Sequence, residues 1–423
     1  MGYKWFDWYS SLIAFFVSFL SFIVFDASSC LVSSSGGFNW VSSFFLCDTV
    51  TLYLSILSVF LLVSLSFFIS QLKPISIIMI SLSVIFSILS YWCCHAMLFW
   101  FFYEFSILSL LLLIIAESPY SERYIASWYL LGYVIVTSLP MLACIFYISL
   151  SYGSFNFYSW NLETPVHPLM FCLLSVLFIT KIPLFPFHVW LPIVHAEATS
   201  IVSVCLSGFI MKLGLLGVYR FCYAVLPDSI FFGNYVLVLL GLTVVYFFCA
   251  CRELDGKRWL AFLSLGHIVI PVVCLYSSLY DQAMIAFLYC LGHGMSAGVT
   301  FILLWVMYDV SGSRNWFLVK GCVSGSLFFR VCCGSSLCTV ASLPPTIQFF
   351  SEVCVMQSSS IVSGLFSFFI FIYLFFGGLV PMFLLGGLLT RHYSINFGGG
   401  YIIGGLSSVA FLVFWGFSLF MLA

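Results

Sequence analysis

Two lysines lie inside long apolar runs of this chain, and they constrain its fold more than any other feature. Lys181 follows the run HPLMFCLLSVLFIT and is followed by Pro183 and Pro186. Lys212 lies in the next apolar run, eight residues before Arg220. Proline removes a helical hydrogen bond, and an ammonium group beside a broken membrane helix marks a functional site by default. We therefore expect the rest of the chain to supply partners for these two charges.

The composition indicates a membrane protein. Of 423 residues, 63% are hydrophobic and 6% are charged, and the mean hydropathy is +1.20. Soluble domains carry about 25% charged residues, so this chain lacks the polar surface that water requires. It is predicted to be an all-α polytopic membrane protein. No basic nucleic-acid patch, cleavable signal peptide or transit peptide is recognisable.

About thirteen transmembrane helices are predicted from apolar windows of roughly 20 residues. The first covers 9–25 and the last covers 401–422. Prolines break two of them, 168–190 at Lys181-Ile182-Pro183 and 321–357 at Leu343-Pro344-Pro345. The other predicted spans are 49–70, 74–91, 95–115, 126–150, 197–219, 234–251, 259–278, 282–308 and 361–389.

The two broken helices indicate an internal repeat. Each is the fourth of five successive helices, in 74–219 and in 234–389. Because five is odd, the two units would have opposite orientations, as in inverted-repeat transporters. We expect a single membrane domain over 1–423, with its sites at the helix breaks.

The basic residues of the loops predict the orientation. If the helices alternate in direction, Arg220 alone falls on the side opposite the N-terminus. The N-terminal side receives the other loop cations and is predicted to face the inside. These cations are Lys4, Lys73, Arg123, Arg252, Lys257, Arg258, Arg314, Lys320, Arg330 and Arg391.

Four charged side chains are predicted to lie deep in the membrane: Glu104, Lys181, Lys212 and Glu352. Glu104 is ~9 residues, or ~13 Å of helix rise, from the nearest end of its helix. Glu352 follows the second break by seven residues. Burial brings the pKa values of a carboxylic acid and an ammonium group closer together, so a buried acid–lysine pair can exchange a proton near neutral pH. The alternative is a static ion pair that fixes helix packing.

Four histidines extend this set. His267 and His293 lie within predicted helices, and His188 and His195 flank the turn after the first break. Histidine titrates near neutral pH and passes protons through water, although each could instead be a hydrogen-bonded packing residue. No carboxylate or Cys accompanies them at metal-ligand spacing. The 17 Cys include no C-x-x-C motif and are interpreted as buried apolar side chains, so no metal or cofactor is expected in this chain.

Two further segments carry predictions. Gly214 and Gly217 follow Lys212, and such small residues allow another helix to approach closely. The charge-dense segment 252–258 is interpreted either as a solvated turn or as a docking surface for a neighbouring subunit.

The motifs around these residues resemble a known family. K-I-P-L-F-P-F-H-V-W-L-P-I-V-H-A-E-A, followed by M-K-L-G-L-L-G-V-Y-R, is similar to the subunit 4 family of mitochondrial NADH:ubiquinone oxidoreductase, respiratory complex I. That family includes bacterial counterparts and is related to Mrp-type sodium/proton antiporter subunits. Further matches, in family order over about residues 48–360, are F-Y-E, S-E-R, C-R-E-L-D-G-K, L-G-H, G-H-G and L-P-P-T-I-Q-F-F-S-E.

This resemblance implies a proton-translocating, antiporter-like subunit with 14 helices in two inverted five-helix units. It implies an acid–lysine pair in the first half-channel, a connecting central lysine, two histidines on a polar axis and an acid in the second broken helix. The implied relay residues are Glu104, Lys181, Lys212, His267, His293 and Glu352, with His188 and His195 as further candidates.

The resemblance also implies partners and a location. NADH, FMN, iron–sulfur clusters and ubiquinone would belong to other subunits, so this chain would perform no redox chemistry. Its partners would be other membrane-arm subunits, including adjacent antiporter-like ones, and membrane lipids. The location would be the mitochondrial inner membrane, with the N-terminus on the matrix side.

The sequence departs from the family pattern in three places. The family usually has a lysine where Ile193 stands and E-A-P where Glu197-Ala198-Thr199 stands, and the part before Asp48 is one helix short. Two other functions stay open: an Mrp-type cation/proton antiporter subunit without redox partners, and an assembly scaffold with a dry interior.

Overall fold

The chain is an all-α membrane protein, as predicted. The computed structural model describes residues 40–41, 44–160, 168–223, 233–277, 283–323, 326–390 and 400–422. The strands in this part form one antiparallel ribbon, in which β1 (Trp40–Val41) pairs with β2 (Leu46–Cys47). The helix predicted over 9–25 lies outside the described residues.

Most helices follow the predicted apolar windows, but two short helices, Trp190–Glu197 and Trp316–Val323, lie mostly outside them. The helices are α1 (Thr49–Ser66), α2 (Pro74–Trp92), α3 (Ala96–Glu117), α4 (Arg123–Tyr152), α5 (Pro168–Lys181), α6 (Trp190–Glu197), α7 (Ser200–Cys222), α8 (Gly233–Arg252), α9 (Gly256–Ser277), α10 (Ala283–Ser311), α11 (Trp316–Val323), α12 (Leu327–Val340), α13 (Ile347–Val362), α14 (Gly364–Leu389) and α15 (Gly400–Ser418). Short 3₁₀ helices follow α4 at Phe157–Ser159 and α15 at Leu419–Leu422.

Nine helices of the described part are long and apolar enough to cross a membrane. They are α1 to α4, α7 to α10 and α14, while α5, α12 and Gly404–Ser418 of α15 are shorter apolar helices. The inverted five-helix repeats and the total of about thirteen crossings stay predictions.

The first predicted helix break is confirmed. Helix α5 ends at Lys181, residues 182–189 form turns, and α6 begins at Trp190. Pro183 and Pro186 carry no N–H and so cannot continue the helical hydrogen-bond ladder. Across the break, the indole N–H of Trp190 donates to the carbonyl of Thr180 at 3.2 Å. The break therefore leaves Lys181 at the end of a half-helix, fixed by the half-helix that follows.

The second break also lies where predicted. The predicted span 321–357 contains an additional break, which separates α11 from α12. Helices α12 and α13 flank residues 341–346, which contain Pro344 and Pro345. The predicted span 321–357 begins too early, because Ser326 caps α12 by accepting from the N–H of Phe329, and α11 is a separate helix. Thr346 caps α13 in the same way.

Helix α7 carries Lys212 directly after a local irregularity. A π-helical turn at Leu206–Ile210 precedes it, and the N–H of Met211 donates to the carbonyl of Leu206. Another π turn at Val218–Tyr223 ends the helix, and α4 contains a third at Leu131–Ile135. Such turns shift the register of a helix and occur frequently at functional sites.

The core of the protein is built around α7 and α10. The apolar windows of both helices are completely buried, and α10 packs against α1, α7, α9, α12, α13 and α15. Helices α2, α4, α8 and α14 instead expose apolar side chains on the outside. Lys212 therefore lies in a helix that the protein itself surrounds, and the side chains of Glu104, Lys181 and Glu352 are also buried.

We predict that Gly214→Ala destabilises the protein. A Cβ at Gly214 would lie 2.8 Å from Cγ1 of Ile182 and 3.4 Å from the carbonyl carbon of Lys181, which confirms the predicted close approach. Overpacking of this kind costs about 1–3 kcal/mol, so thermal unfolding of the purified protein should occur at a lower temperature.

Gly386→Ala in α14 is the matched control, because no atom lies within 4 Å of its added Cβ. It should leave stability unchanged or raise it slightly, since alanine favours a helix more than glycine does. Equal melting temperatures for the two variants would contradict the close packing of α7 on the first break.

Candidate functional site

The first part of the site is a buried ion pair between α3 and α5. Nζ of Lys181 lies 2.6 Å from Oε1 of Glu104, and the two residues are only 2% and 6% exposed. The ammonium group also lies 4.3 Å from the ring centroid of Tyr103. Removing one partner of such a pair costs about 3–5 kcal/mol, because it leaves the other charge buried alone. The structure thus brings together two residues that are distant in sequence.

The second part is Lys212, whose side-chain amine is fully buried. Its Nζ donates to the carbonyl of Ser207 in the preceding π turn. Among the described residues the three ion pairs are Lys181–Glu104, Arg220–Asp48 and Arg314–Asp255, so Lys212 has no carboxylate partner there. A buried ammonium group bonded to a neutral carbonyl is costly, and this points to a role other than packing.

The third part is a polar cluster around Glu352, which α13 places after the second break. The hydroxyl of Tyr373 lies 2.5 Å from Nδ1 of His267, 2.9 Å from the hydroxyl of Tyr289 and 3.2 Å from Oε1 of Glu352. Gln348 donates to Tyr289 at 3.3 Å and to Glu352 at 3.4 Å. Side chains from α9, α10, α13 and α14 therefore form one connected network in the protein interior.

Two serines extend this network at its ends. The hydroxyl of Ser342, in the break itself, donates to Oε2 of Glu352 at 2.6 Å. Ser296 of α10 donates to Oε1 of Gln348 at 3.2 Å. Glu352 thus accepts hydrogen bonds on both carboxyl oxygens, and no cation among the described residues pairs with it.

The histidines occupy different environments. The ring of His293 lies 5.3 Å from that of His267 and 6.3 Å from that of Tyr289. Both ring nitrogens of His293 and both of His195 are buried with no hydrogen-bond partner in the described part of the chain. Buried polar atoms are nearly always satisfied, and water commonly fills this role. These two residues therefore mark positions where water would bind.

Lys212 is near enough to interact electrostatically with His195, His267 and His293. His188 lies apart at the first break, half-buried, with its ring 5.3 Å from that of Tyr246. The structure therefore assembles seven of the eight candidate residues in or near the interior, and leaves His188 at the periphery.

Sequence reasoning missed Gln348, Tyr289 and Tyr373. Gln348 could have been found, because it stands four residues before Glu352 and so lies on the same face of the helix. The tyrosines carry no such signal, since the chain contains 23 of them. Within the described residues, no three His, Cys, Asp or Glu side chains are gathered as metal ligands.

Two cations counted among the loop residues are buried. The interpretation of 252–258 as a solvated turn is wrong for Lys257, which is 4% exposed and donates to the carbonyl of Ala198 at 2.7 Å. Arg220 is also buried and pairs with Asp48 at 2.6 Å. Each finds its partner in a segment distant in sequence, which local patterning does not reveal.

The comparison with known families agrees with this arrangement. Residues 94–378 match the profile of the NADH:quinone oxidoreductase/Mrp antiporter transmembrane family. The chain belongs to this family. The match extends from the start of α3 into α14, and so includes every residue of the candidate site.

Several curated relatives are named NADH-ubiquinone oxidoreductase chain 4. The protein from Caenorhabditis elegans is 27% identical over 308 residues, which are 72% of this chain and 72% of the relative. That from Ceratitis capitata is 30% identical over 285 residues, 65% of this chain and 62% of the relative. That from Chondrus crispus is 26% identical over 406 residues, 92% of this chain and 82% of the relative.

Solved structures share the fold. A chain of respiratory complex I from Thermus thermophilus with bound NADH has a TM-score of 0.76 at 18% identity, covering 90% of this chain and 85% of that one. A chain of the Mrp complex from Dietzia sp. DQ12-45-1b has a TM-score of 0.81 at 14% identity, covering 96% and 89%. At these identities the likeness concerns the fold alone, which both branches of the family share.

We predict that Tyr373→Phe destabilises the protein. The change removes one hydroxyl and leaves hydrogen-bonding atoms of His267, Tyr289 and Glu352 with one partner fewer. The loss of a buried hydrogen-bond partner costs about 1–3 kcal/mol, so the variant should unfold at a lower temperature. Tyr147→Phe, at a half-exposed tyrosine of α4, is the control and should unfold like the parent protein. An unchanged melting temperature for Tyr373→Phe would contradict the network.

Proposed function

We propose that this chain is the antiporter-like subunit 4 of respiratory complex I and translocates protons across the membrane. The observation that carries this proposal is the series of buried ionisable groups in the helices at the centre of the fold. The names of the curated relatives support the assignment to complex I. The proposed relay residues are Glu104, Lys181, Lys212, His267, His293 and Glu352, with His188 and His195 as further candidates.

The ion pair between Glu104 and Lys181 is the proposed point at which neighbouring subunits start the proton transfer. While Nζ of Lys181 lies 2.6 Å from the carboxylate, the pair stabilises the charged lysine. A signal from neighbouring subunits that separates the two groups would lower this stabilisation, and Lys181 would then release its proton toward Lys212. The close approach of Gly214 in α7 to Lys181 and Ile182 supports this transfer, because it brings the two lysine-bearing segments into contact.

Lys212 would pass the proton on through water and histidine. His293 offers two ring nitrogens that have no partner among the described residues, and its ring lies next to that of His267. From His267 the hydrogen bonds of Tyr373 lead directly to Glu352. Moving one proton against 100 mV requires ~2.3 kcal/mol. A modest change in the proton affinity of each relay group is therefore enough to drive the proton across the membrane.

A purely static role fits these residues less well. A scaffold would gain as much from apolar side chains of similar size, because buried ion pairs contribute little net stability. Lys212 supports transport most strongly, since in the described part of the chain it has no carboxylate partner. An unpaired ammonium group in a membrane interior is retained where the charge itself is used.

The proposal assigns the redox chemistry to other subunits. The assembly as a whole is the H⁺-translocating NADH:ubiquinone reductase, and NADH, FMN, iron–sulfur clusters and ubiquinone would bind elsewhere in it. The partners of this chain would be other membrane-arm subunits, adjacent antiporter-like subunits among them, and lipids. We further propose the mitochondrial inner membrane, with the N-terminus on the matrix side as the loop cations indicate.

An Mrp-type cation/proton antiporter subunit is the second candidate, favoured by the TM-score of 0.81 to the Mrp complex. It is the weaker one, because the curated relatives described above carry the complex I name. Purification of the native assembly distinguishes the two. Subunits that carry flavin and iron–sulfur clusters co-purify in the first case, and an assembly without them identifies the antiporter.

The experiment that tests proton translocation compares neutral variants in reconstituted vesicles. Lys181→Met and Glu352→Gln each remove one relay charge and keep the approximate shape, and each should abolish most proton pumping while the complex still assembles. Lys73→Met and Glu122→Gln, at exposed loop positions, are the matched controls and should pump normally. Normal pumping by an assembled Lys181→Met or Glu352→Gln complex would reject the relay.

A further inference from the structure

The carboxyl end of α6 is bound in an unusual way. Three consecutive peptide carbonyls, those of Ala196, Glu197 and Ala198, each accept a hydrogen bond from the side chain of a different element. Arg314, between α10 and α11, donates to Ala196. Ser118, at the end of α3, donates to Glu197 at 2.5 Å, and Lys257 of α9 donates to Ala198 at 2.7 Å. We call this arrangement the α6 clamp.

The charges of the clamp suit its position. The last carbonyls of a helix carry partial negative charge, so cations bind there favourably. The ring of Tyr120 lies 4.3 Å from Cζ of Arg314 and 5.3 Å from Nζ of Lys257, which adds cation–π attraction to both. Asp255 lies 3.5 Å from the guanidinium group of Arg314 and caps the start of α9. The clamp is therefore a specific structure rather than a chance contact of loop cations.

Helix α6 connects this clamp to the ion pair. Its first residue, Trp190, is 1% exposed, and its indole N–H donates to the carbonyl of Thr180 at 3.2 Å. Thr180 directly precedes Lys181, the last residue of α5. Helix α6 also packs along α9 and α4. A shift of α6 would thus move the backbone that carries Lys181.

We propose that Arg314 is a positioning residue, with Lys257 in the same role, and that it holds α6 so that Lys181 stays within bonding distance of Glu104. This inference rests on the proposed function. Arg314 and Lys257 come from the second half of the chain, whereas Glu104 and Lys181 come from the first. A displacement of Arg314 or Lys257 in the second half of the chain would therefore alter the ion pair in the first half.

A double-mutant cycle in the assembled, reconstituted complex tests this inference. The variants are Arg314→Gln, Glu104→Gln and their combination, and the quantity measured is the number of protons pumped per NADH oxidised. Arg314→Gln should lower this ratio roughly fivefold in the parent protein. It should have no further effect in the Glu104→Gln background, because the ion pair through which it acts is already lost.

The controls separate this inference from a structural effect and from the proposed function. Arg252→Gln, at the exposed arginine that ends α8, should leave the ratio unchanged in both backgrounds. Trp190→Phe keeps an aromatic side chain but removes the indole N–H that donates to Thr180. It provides a second test of the clamp if the Arg314→Gln complex does not assemble. Losses that multiply in the double variant, or normal pumping by both Arg314→Gln and Trp190→Phe, would overturn the clamp. Normal pumping by Glu104→Gln alone would instead count against the proposed function.

Discussion

An ammonium or carboxylate group in the interior of a membrane protein must be paired, hydrogen-bonded or hydrated, and the structure depends on how three such groups meet this requirement. Lys181 is paired with a carboxylate. Glu352 is hydrogen-bonded by neutral donors on both oxygens, and Lys212 is bonded to a peptide carbonyl. Each of these contacts offsets the cost of removing an ionisable group from water in a different way.

Each of these contacts forms where a helix is broken or irregular. Lys181 ends a half-helix at the first break, and Ser342 in the second break donates to Glu352. Lys212 follows a π turn and binds a carbonyl within it. A regular helix keeps its carbonyls in its own ladder. Backbone that departs from this ladder at membrane depth is tolerated where protein surrounds it. Here α7 packs against the first break, and α10 packs against the helix start that follows the second.

Much of this arrangement could be predicted from the sequence, and the remainder could not for a definite reason. The helix breaks follow from Pro183 and Pro344-Pro345, and the depth of Glu104 follows from its distance to the helix ends. The residues of a single segment are enough to predict both the breaks and this depth. The positions of Tyr289, Tyr373 and Lys257 depend on contacts between segments far apart in the chain, and no pattern within one segment encodes them. Lys257 shows this most clearly, because a charge-dense loop is normally solvated.

The central claim is that hydrated, connected groups join the two lysines to Glu352. The most direct test is an experimental structure of the native complex at a resolution that reveals ordered water. The account predicts water hydrogen-bonded to the ring nitrogens of His293 and continuous from Lys212 to the network of His267, Tyr373 and Glu352. A dry, apolar contact between Lys212 and this network, or lipid packed against Lys212, would contradict it.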